Sequence, residues 1–394
     1  MNNKQVATNL FWRFAERSGA QGVSFIVQLI LARLLAPEDY GTVAIIAVVI
    51  NILGVFVDSG LGNALIQKKD ADDIDFSTVF YTNIAFCVLL YALLFLGAPL
   101  IGTFYQNPQL IPLVRVLGLT LIISGVKNVQ QAYVSRNLIF KRFFFATLGG
   151  TIGAAVVGIG MAAAGLGVWA LVAQQLFNLT VDTLILWLTV KWRPIRAFSI
   201  ERLKELFGYG WKFVASGLLN EIYSNIRQLI IGKMYSADSL AFYNRGEKFP
   251  SFIVTNINSS IDSVLLPAMS VQQDAIDRLR AMTRRAIKTS VYIMAPLMAG
   301  MAITAPVFVR LLLTEKWLPC VPYVRIFCVT YLFYPIHAAN LNAIKAMGRS
   351  NLFLKMEIQK KIIGIILLLS TMWFGVMAMA YSLLVGSVLS QIIN

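Results

Sequence analysis

Twelve stretches of mostly apolar residues, each long enough to cross a bilayer, restrict the folds open to this sequence. Hydrophobic residues make up 58% of the chain and charged residues only 13%, about half the roughly 25% charged residues of a soluble domain. Because about 20 apolar residues span the hydrocarbon core as a helix, we predict an all-α membrane protein with about twelve transmembrane helices. They lie near residues 10–35, 41–66, 79–104, 110–133, 144–165, 167–190, 208–234, 239–267, 287–313, 321–344, 356–373 and 375–393.

The sequence repeats itself after about two hundred residues. Ser24-x-x-x-Gln28 returns as Ser224-x-x-x-Gln228, at an offset of 200, and Pro112-x-Val114-Arg115 returns as Pro322-x-Val324-Arg325, at an offset of 210. Asp58-Ser59-x-Leu61 and Gly167-Val168 are repeated between these offsets, in the same order, as Asp262-Ser263-x-Leu265 and Gly375-Val376. Chance matches do not keep their order and offset in this way, so the pattern indicates a duplicated unit.

Six helices in each copy predict two parallel repeats, because an even number of crossings returns the chain to the same side of the membrane. We expect two six-helix lobes, residues 1–190 and 208–394, around a central polar cavity. The segment 191–207 between them combines Trp192 and Pro194 with an amphipathic pattern, which predicts a cytoplasmic interfacial helix.

The basic residues indicate the orientation of the chain in the membrane. The formal net charge is +15, but eighteen lysine and arginine residues fall in or beside the loops after even-numbered helices and three in or beside the loops after odd-numbered helices. This asymmetry is typical of a polytopic membrane protein with a cytoplasmic N-terminus. It argues against nucleic acid as a partner.

Polar residues recur every three or four positions on helices 1, 2, 4, 7, 8 and 10. Gln28 ends such a stripe on helix 1, and Asn220 and Gln228 belong to the corresponding stripe on helix 7. A polar stripe on one face of a helix cannot face lipid. We therefore expect these six helices to surround a water-filled cavity, as in a transporter.

Three intramembrane cations are the strongest candidates for binding a substrate. Arg17, Lys127 and Arg227 lie within apolar segments, where a charged side chain costs about 2.5–3.5 kcal/mol and commonly serves function. The competing interpretation is that basic side chains reach the membrane surface, which suits Arg13 and Lys212 near their helix ends. A diphosphate between cations of this kind would make charge-assisted hydrogen bonds.

Asp58 and Asp262 occupy corresponding positions at the predicted cytoplasmic ends of helices 2 and 8. An acid there can pair with a basic residue across the two lobes, so we predict that both help to close an inner gate. A role as a helix-end cap or surface ion pair is the alternative. Cys320 falls in a short outer loop, where we expect an impermeant thiol reagent to reach it.

Four segments resemble hallmark sequences of bacterial polysaccharide flippases, which belong to the multidrug/oligosaccharidyl-lipid/polysaccharide superfamily. They are Leu31-Ala-Arg-Leu-Leu-Ala-Pro-Glu-Asp-Tyr-Gly41, Asp58-Ser-Gly-Leu-Gly-Asn-Ala-Leu-Ile-Gln67, Gly167-Val-Trp-Ala-Leu171 and Ala241-Phe-Tyr-Asn-Arg245. The resemblance covers essentially the whole chain. Relatives often continue for another helix pair, whereas this sequence stops at Asn394, so we expect either a twelve-helix member or a missing C-terminal pair.

The resemblance implies an exporter of undecaprenyl-pyrophosphate-linked oligosaccharide repeat units. Such a protein works by alternating access in the bacterial inner membrane, with helices 1, 2, 7 and 8 framing its cavity. Gln28, Asn220 and Gln228 would then hydrogen-bond the substrate beside Arg17, Lys127 and Arg227. Membrane lipids, a coupling proton or sodium ion, and polysaccharide polymerase or export machinery are the partners it implies.

Other functions fit the residues less well. A drug exporter of the same superfamily should line its cavity with acids and aromatics, whereas cations outnumber acids on these stripes. A sugar transporter of the major facilitator type should have a loop near G-x-x-x-D-R-x-G-R between helices 2 and 3, whereas this loop reads Gln67-Lys-Lys-Asp-Ala-Asp-Asp-Ile-Asp75. Asp70-Ala-Asp72 is in too short a loop for a metal-dependent sugar transferase, and His337 has no partner at metal or triad spacing. We therefore predict no enzyme activity, no metal and no cofactor.

Overall fold

The computed structural model of the chain is built of α-helices. It describes the backbone of residues 3–58, 60–137, 139, 141–272 and 275–393 and, within these ranges, all side chains except those of residues 3–11, 13–18, 58, 209, 259–260, 262–264, 266–267 and 350. Within this part of the chain there is no β-strand. The helices are α1 (Asn3–Leu34), α2 (Pro37–Asp58), α3 (Leu61–Gln67), α4 (Asp73–Phe104), α5 (Leu110–Leu117), α6 (Leu119–Arg136), α7 (Lys141–Ala163), α8 (Val168–Thr189), α9 (Ile200–Met234), α10 (Ala237–Val271), α11 (Ile276–Leu313), α12 (Val321–Leu332), α13 (Tyr334–Ala346), α14 (Ser350–Thr371) and α15 (Val376–Ile393), with a 3-10 helix at Glu315–Cys320.

The helix surfaces suit a bilayer rather than water. In the described part of the chain, eight helical stretches are long and apolar enough to cross a membrane. Side chains such as Leu100 and Leu188 are 74% and 80% exposed, and apolar surface of this extent requires lipid around it. Helices α1, α9 and α10 are just as long but more polar, because they carry the predicted stripes. The prediction of an all-α, multi-pass membrane protein is confirmed.

The chain folds into two compact units, Met1–Lys233 and Met234–Asn394. The first unit contains α1 to α9 and the second α10 to α15. Helix α9, which the sequence repeat assigns to the second half, is therefore grouped here with the first. The predicted lobes, residues 1–190 and 208–394, follow the repeat rather than compactness and stay a prediction.

The two copies of the membrane hairpin break at corresponding residues. Helix α1 ends at Leu34 and α2 starts at Pro37, while α9 ends at Met234 and α10 starts at Ala237, an offset of 200 at each boundary. In the first copy the backbone N–H of Ala36 donates to Asp39 Oδ2 at 3.0 Å. In the second, Ser239 N–H donates to Ser236 Oγ at 3.1 Å, an N-cap.

The predicted helices 4 and 10, over 110–133 and 321–344, are confirmed as the single spans Leu110–Arg136 and Glu315–Ala346, each with a one-residue interruption in its helix. The first breaks at Gly118 between α5 and α6, and the second at Phe333 between α12 and α13. A Cβ at Gly118 would lie 2.8 Å from the carbonyl oxygen of Val114, so the chain packs too tightly there for another residue. Each copy has one interruption in this helix, but the two lie 215 residues apart, five more than the offset of 210 between the repeated residues around them.

The segment 191–207, which connects the two predicted lobes, packs against other parts of the first unit. Trp192 is 5% exposed and lies in a cluster with Phe76, Phe80 and Tyr133. Its carbonyl accepts a hydrogen bond from Gln130 Nε2 at 3.2 Å. The predicted separate interfacial helix was wrong: α9 starts at Ile200 and continues without interruption to Met234. Residues 191–199 are irregular, with a bend at Arg196, and their amides bond to side chains of α4, such as Ile195 N–H to Ser77 Oγ at 2.9 Å.

An ionic cluster joins the start of α9 to the loop before α4. Lys68 Nζ lies 2.8 Å from Glu205 Oε2 and 3.2 Å from Asp75 Oδ1, and Arg202 binds both Asp72 and Asp75. The hydrogen bond from Arg202 lowers the pKa of Asp72 to about 2, and the bond to Glu205 raises the pKa of Lys68. Asp72 also caps α4 by accepting from the amides of Ile74 and Asp75.

Candidate functional site

A polar cavity of about 570 Å³ lies within the first unit. Helices α2, α6, α8 and α9 form its walls. Its polar lining residues are Asn51, Thr120, Ser124, Gln175, Asn220 and Glu221. The predicted stripes of helices 2, 4 and 7 thus meet at one cavity, because side chains three or four residues apart share a helix face.

A buried ion pair lies one helical turn from this cavity. Lys127 Nζ is 2.5 Å from Asp182 Oδ2, and the two side chains are 14% and 12% exposed. Lys127 follows Ser124 by three residues on α6, and Asp182 follows the lining residue Leu179 by three on α8. The pair neutralises two charges that would each be costly inside a membrane. Whether Lys127 contacts substrate stays a prediction.

Asp182 was not among the residues predicted from the sequence, although a signal was present. It is the only charged residue of α8, and an isolated acid in a membrane span usually has a partner. Gln175 on the same helix was missed as well. Their helix was not among the six that were expected to surround the cavity, whereas Gln175 and Leu179 line it.

The structure places the predicted residues of α1 and α9 at different distances from the cavity. Asn220 lines it, and Arg227 lies seven residues further along α9, two turns away on the same face and about 10 Å by helical rise. Arg227, Gln228 and Gln28 are half-buried, and none of them lines the polar cavity. Glu221, which lines it, also accepts a hydrogen bond from Asn225 Nδ2 at 2.8 Å.

Three predicted site residues have side chains outside the described part of the structure. They are Arg17 on α1 and the predicted gate residues Asp58 on α2 and Asp262 on α10. Their helices are described, but their side chains are not. Their predicted roles remain predictions.

Polar and aromatic side chains are also buried in the second unit. Arg245, which ends the hallmark segment at 241–245, is 8% exposed, and its guanidinium lies 4.9 Å from the ring centroid of Trp317. Tyr331 donates to Glu247 Oε1 at 2.8 Å. These contacts connect α10 to the 3-10 helix and α12. Packing between helices therefore accounts for Arg245 in the hallmark segment at 241–245.

The expectation that an impermeant reagent reaches Cys320 was wrong. Cys320 is 0% exposed at the end of the 3-10 helix, beside a fully buried Trp317. Its carbonyl oxygen would lie 3.1 Å from a Cβ at Gly246 of α10. The segment read as an outer loop is thus packed beneath its neighbours. Among the described residues, no group of His, Cys, Asp and Glu is arranged to hold a metal ion.

The fold is shared with lipid and drug transporters. The solved structure of the lipid II flippase MurJ in an inward closed conformation matches with a TM-score of 0.78 and 13% identity, over 98% of this chain and 86% of that one. The inward-facing conformation of a multidrug resistance MATE family transporter of the MOP superfamily matches with a TM-score of 0.71 and 16% identity, over 96% of each chain. These likenesses establish the fold and, with the repeat, confirm the predicted twelve-helix architecture of two six-helix repeats.

The chain belongs to a family of polysaccharide biosynthesis proteins, whose model matches residues 30–322. The teichuronic acid biosynthesis protein TuaB of Bacillus subtilis (strain 168) is 26% identical over 303 residues, which are 76% of this chain and 62% of TuaB. The lipopolysaccharide biosynthesis protein WzxC of Escherichia coli (strain K12) is 25% identical over 379 residues, 95% of this chain and 76% of WzxC. The succinoglycan biosynthesis transport protein ExoT of Rhizobium meliloti (strain 1021) is 24% identical over 318 residues, 80% of this chain and 64% of ExoT. The predicted resemblance is confirmed.

Proposed function

We propose that this protein is a flippase that moves undecaprenyl-pyrophosphate-linked oligosaccharide repeat units from the inner to the outer leaflet of the bacterial cytoplasmic membrane. It would work by alternating access, with its N-terminus in the cytoplasm and a proton or sodium ion as driving ion. The product would pass to polysaccharide polymerase and export machinery. The observation that carries the proposal is the polar cavity among membrane helices, in a chain of the polysaccharide biosynthesis family.

The cavity has the chemistry that a glycan needs. Asn51, Gln175 and Asn220 present amides, and Thr120 and Ser124 present hydroxyls, so the walls offer both donors and acceptors to sugar hydroxyls. In the proposal Gln28 and Gln228 extend this polar surface. Arg17, Lys127 and Arg227 hold the diphosphate, whose charge would otherwise face hydrocarbon.

A multidrug or small-molecule antiporter of the same superfamily is the second candidate. One observation favours it: Glu221 lines the cavity, and a carboxylate attracts cationic drugs. Export of a cationic dye in exchange for protons, abolished by Glu221→Gln with glycan export unchanged, would support this alternative. The opposite pattern would support the flippase.

The arginines give the main test of the flippase. Replacing Arg17 or Arg227 by alanine should abolish glycan export at normal membrane levels, because the diphosphate loses a charge-assisted partner. Lysine should restore it only in part, since it lacks the two-pronged guanidinium. Export is measured as surface polysaccharide in a strain that lacks its own flippase.

Lys212→Ala provides the matched control, because Lys212 is exposed on the same helix as Arg227. It should export normally. Full export by the Arg17→Ala, Arg227→Ala double variant would contradict the proposal and indicate that both side chains merely reach the membrane surface.

The inner gate is a second proposal. Replacing both Asp58 and Asp262 by asparagine should favour the inward-open state, because each loses the charge that pairs with a basic residue. Cytoplasmic accessibility of a cysteine placed at Ser124 in the cavity wall should then rise. An unchanged labelling rate would leave only a capping or surface role, and Asp73→Asn, at the exposed start of α4, serves as control.

A further inference from the structure

A second cavity, of about 420 Å³, adjoins the polar one and is almost entirely apolar. Helices α2, α4 and α9 and the start of α3 form its walls. The side chains that define it are Phe56, Phe86, Phe207, Trp211, Val214 and Leu218. If each water-sized group occupies ~30 Å³, the cavity has room for about fourteen of them. That is enough for a short hydrocarbon segment and too little for a whole lipid.

The two cavities meet along the same pair of helices. On α2, Val55 lines the polar cavity and Phe56 the apolar one; on α9, Gly217 lines the polar cavity and Leu218 the apolar one. The apolar cavity takes the end of α2 and the start of α9, which the distribution of basic residues assigns to the cytoplasmic side. A ligand that fills both must therefore have a polar part directed outward and an apolar part behind it.

One polar group at the apolar cavity lacks a partner. Asn83 of α4 lines this cavity and is 3% exposed, and its Nδ2 atom donates to no described atom. Burying an amide donor without a hydrogen bond costs about 1–3 kcal/mol. Asn83 also lies next to the wall of the polar cavity, because a Cβ at Gly125, the neighbour of Ser124, would lie 3.6 Å from its carbonyl oxygen.

We propose that the apolar cavity binds the first segment of a polyprenyl chain, with Asn83 donating a hydrogen bond to the phosphate oxygen that joins this chain to the head group in the polar cavity. The inference rests on the proposed function and deepens it by naming where the lipid anchor is held. A head group that has entered the polar cavity leaves its chain on the inner-leaflet side, where this cavity lies. Aromatic walls suit an unsaturated, branched chain, and the single donor suits the one oxygen at the junction.

Photolabelling in nanodiscs tests the site. The probe is farnesyl diphosphate, which has a fifteen-carbon chain, carrying a diazirine near its diphosphate; the labelled peptides are then mapped. We expect label on residues 56–61, 82–86 and 207–218, removed by excess unlabelled farnesyl diphosphate. Filling the cavity by Ala215→Phe, or from the opposite wall by Thr82→Phe, should lower labelling about tenfold. Leu219→Phe, at an exposed position that lines neither cavity, should not.

Asn83→Leu separates binding from structure. Removing an unsatisfied buried donor should leave thermal stability unchanged or raised, whereas labelling should fall about tenfold through loss of the hydrogen bond to the phosphate. A residue with a purely structural role would lose stability without this selective loss of labelling.

Binding of inorganic pyrophosphate, measured by calorimetry, distinguishes the two proposals. Pyrophosphate binding without label on the cavity walls would overturn the tail site alone. No pyrophosphate binding would count against the proposed function. Equal labelling by a diazirine phosphatidylglycerol that farnesyl diphosphate does not displace would show a crevice filled by bulk lipid and would also overturn the inference.

Discussion

Lys127 in the first repeat and His337 in the second are corresponding residues, 210 positions apart. Lys127 of α6 pairs with Asp182 of α8, so its ion pair joins two helices beside the polar cavity. Near His337, the pair is Lys360 with Glu357 at 2.7 Å, three residues apart on α14. The backbone scheme is conserved between the halves, but the buried charges are not. The two halves thus share an arrangement of helices but differ in which charged side chains they bury and pair.

Breaking the two ion pairs should give the largest difference between the halves. Asp182→Asn leaves a buried ammonium uncompensated and should lower the unfolding free energy by about 3–5 kcal/mol. Glu357→Gln should cost only about 0.3–1 kcal/mol, because Glu357 is 30% exposed and the pair lies within one helix. Thermal unfolding in a fixed detergent measures both.

The Lys127→Met, Asp182→Leu double variant should recover most of this stability, because both charges are removed together. It should still fail to export if Lys127 binds the diphosphate. Equal losses for Asp182→Asn and Glu357→Gln would contradict the contrast between the halves.

A helix contact in the first half should give an intermediate effect. A Cβ at Gly60 would lie 2.9 Å from Val214 Cγ2 and 3.2 Å from the carbonyl oxygen of Gly210, whereas the second repeat has Val264 at the corresponding place. Gly60→Val should therefore cost about 1–3 kcal/mol by overpacking and separate α9 from the end of α2. Crosslinking of cysteines introduced at Leu61 and Val214 reports the separation.

The reciprocal variant Val264→Gly controls for the side chain itself. It should leave that crosslink unchanged. A retained crosslink in Gly60→Val would show that the close approach of the glycines is not required.

The starts of α4 and α11 should give the smallest difference. Asp72 caps α4, whereas the residue before α11 is Ala275, without a side-chain cap. The pKa of Asp72 is lowered from 3.8 to about 2, so its contribution is complete above about pH 4 and disappears as the pH falls through about 2. Hydrogen-exchange protection of Ile74 and Asp75 should fall over this range, and Asp72→Ala should remove the pH dependence.

Ala275→Asp should strengthen the second half by up to about 1 kcal/mol, because it supplies the missing cap. Protection at the first turn of α11 should then rise towards that of α4. No gain would mean that the cap in the first half depends on Arg202.

The sequence predicted the elements well because membrane spans and repeats are local or periodic signals. The break at residues 35–36 and its copy at 235–236 each begin seven residues after the repeated motif, Ser24-x-x-x-Gln28 and Ser224-x-x-x-Gln228. The repeat pairs Cys320 with Leu110, the first residue of predicted helix 4, and this correspondence predicts a helix-end position for Cys320 and not an outer loop; both residues are 0% exposed. The pairing of Lys127 with Asp182 could not be predicted, since it depends on which faces of α6 and α8 meet. The continuity of α9 from Ile200 depends likewise on the binding of the segment 191–207 to α4.

That continuity makes α9 a lever. Its 35 residues form a rod roughly 52 Å long at 1.5 Å per residue. Gly210, where it contacts Gly60, lies about 15 Å from the N-terminal end of the helix and about 36 Å from its C-terminal end. Rotation about this contact would displace the C-terminal end more than twice as far as the N-terminal end. A small shift of the ionic cluster around Arg202 would therefore be mechanically amplified at the opposite end of the helix.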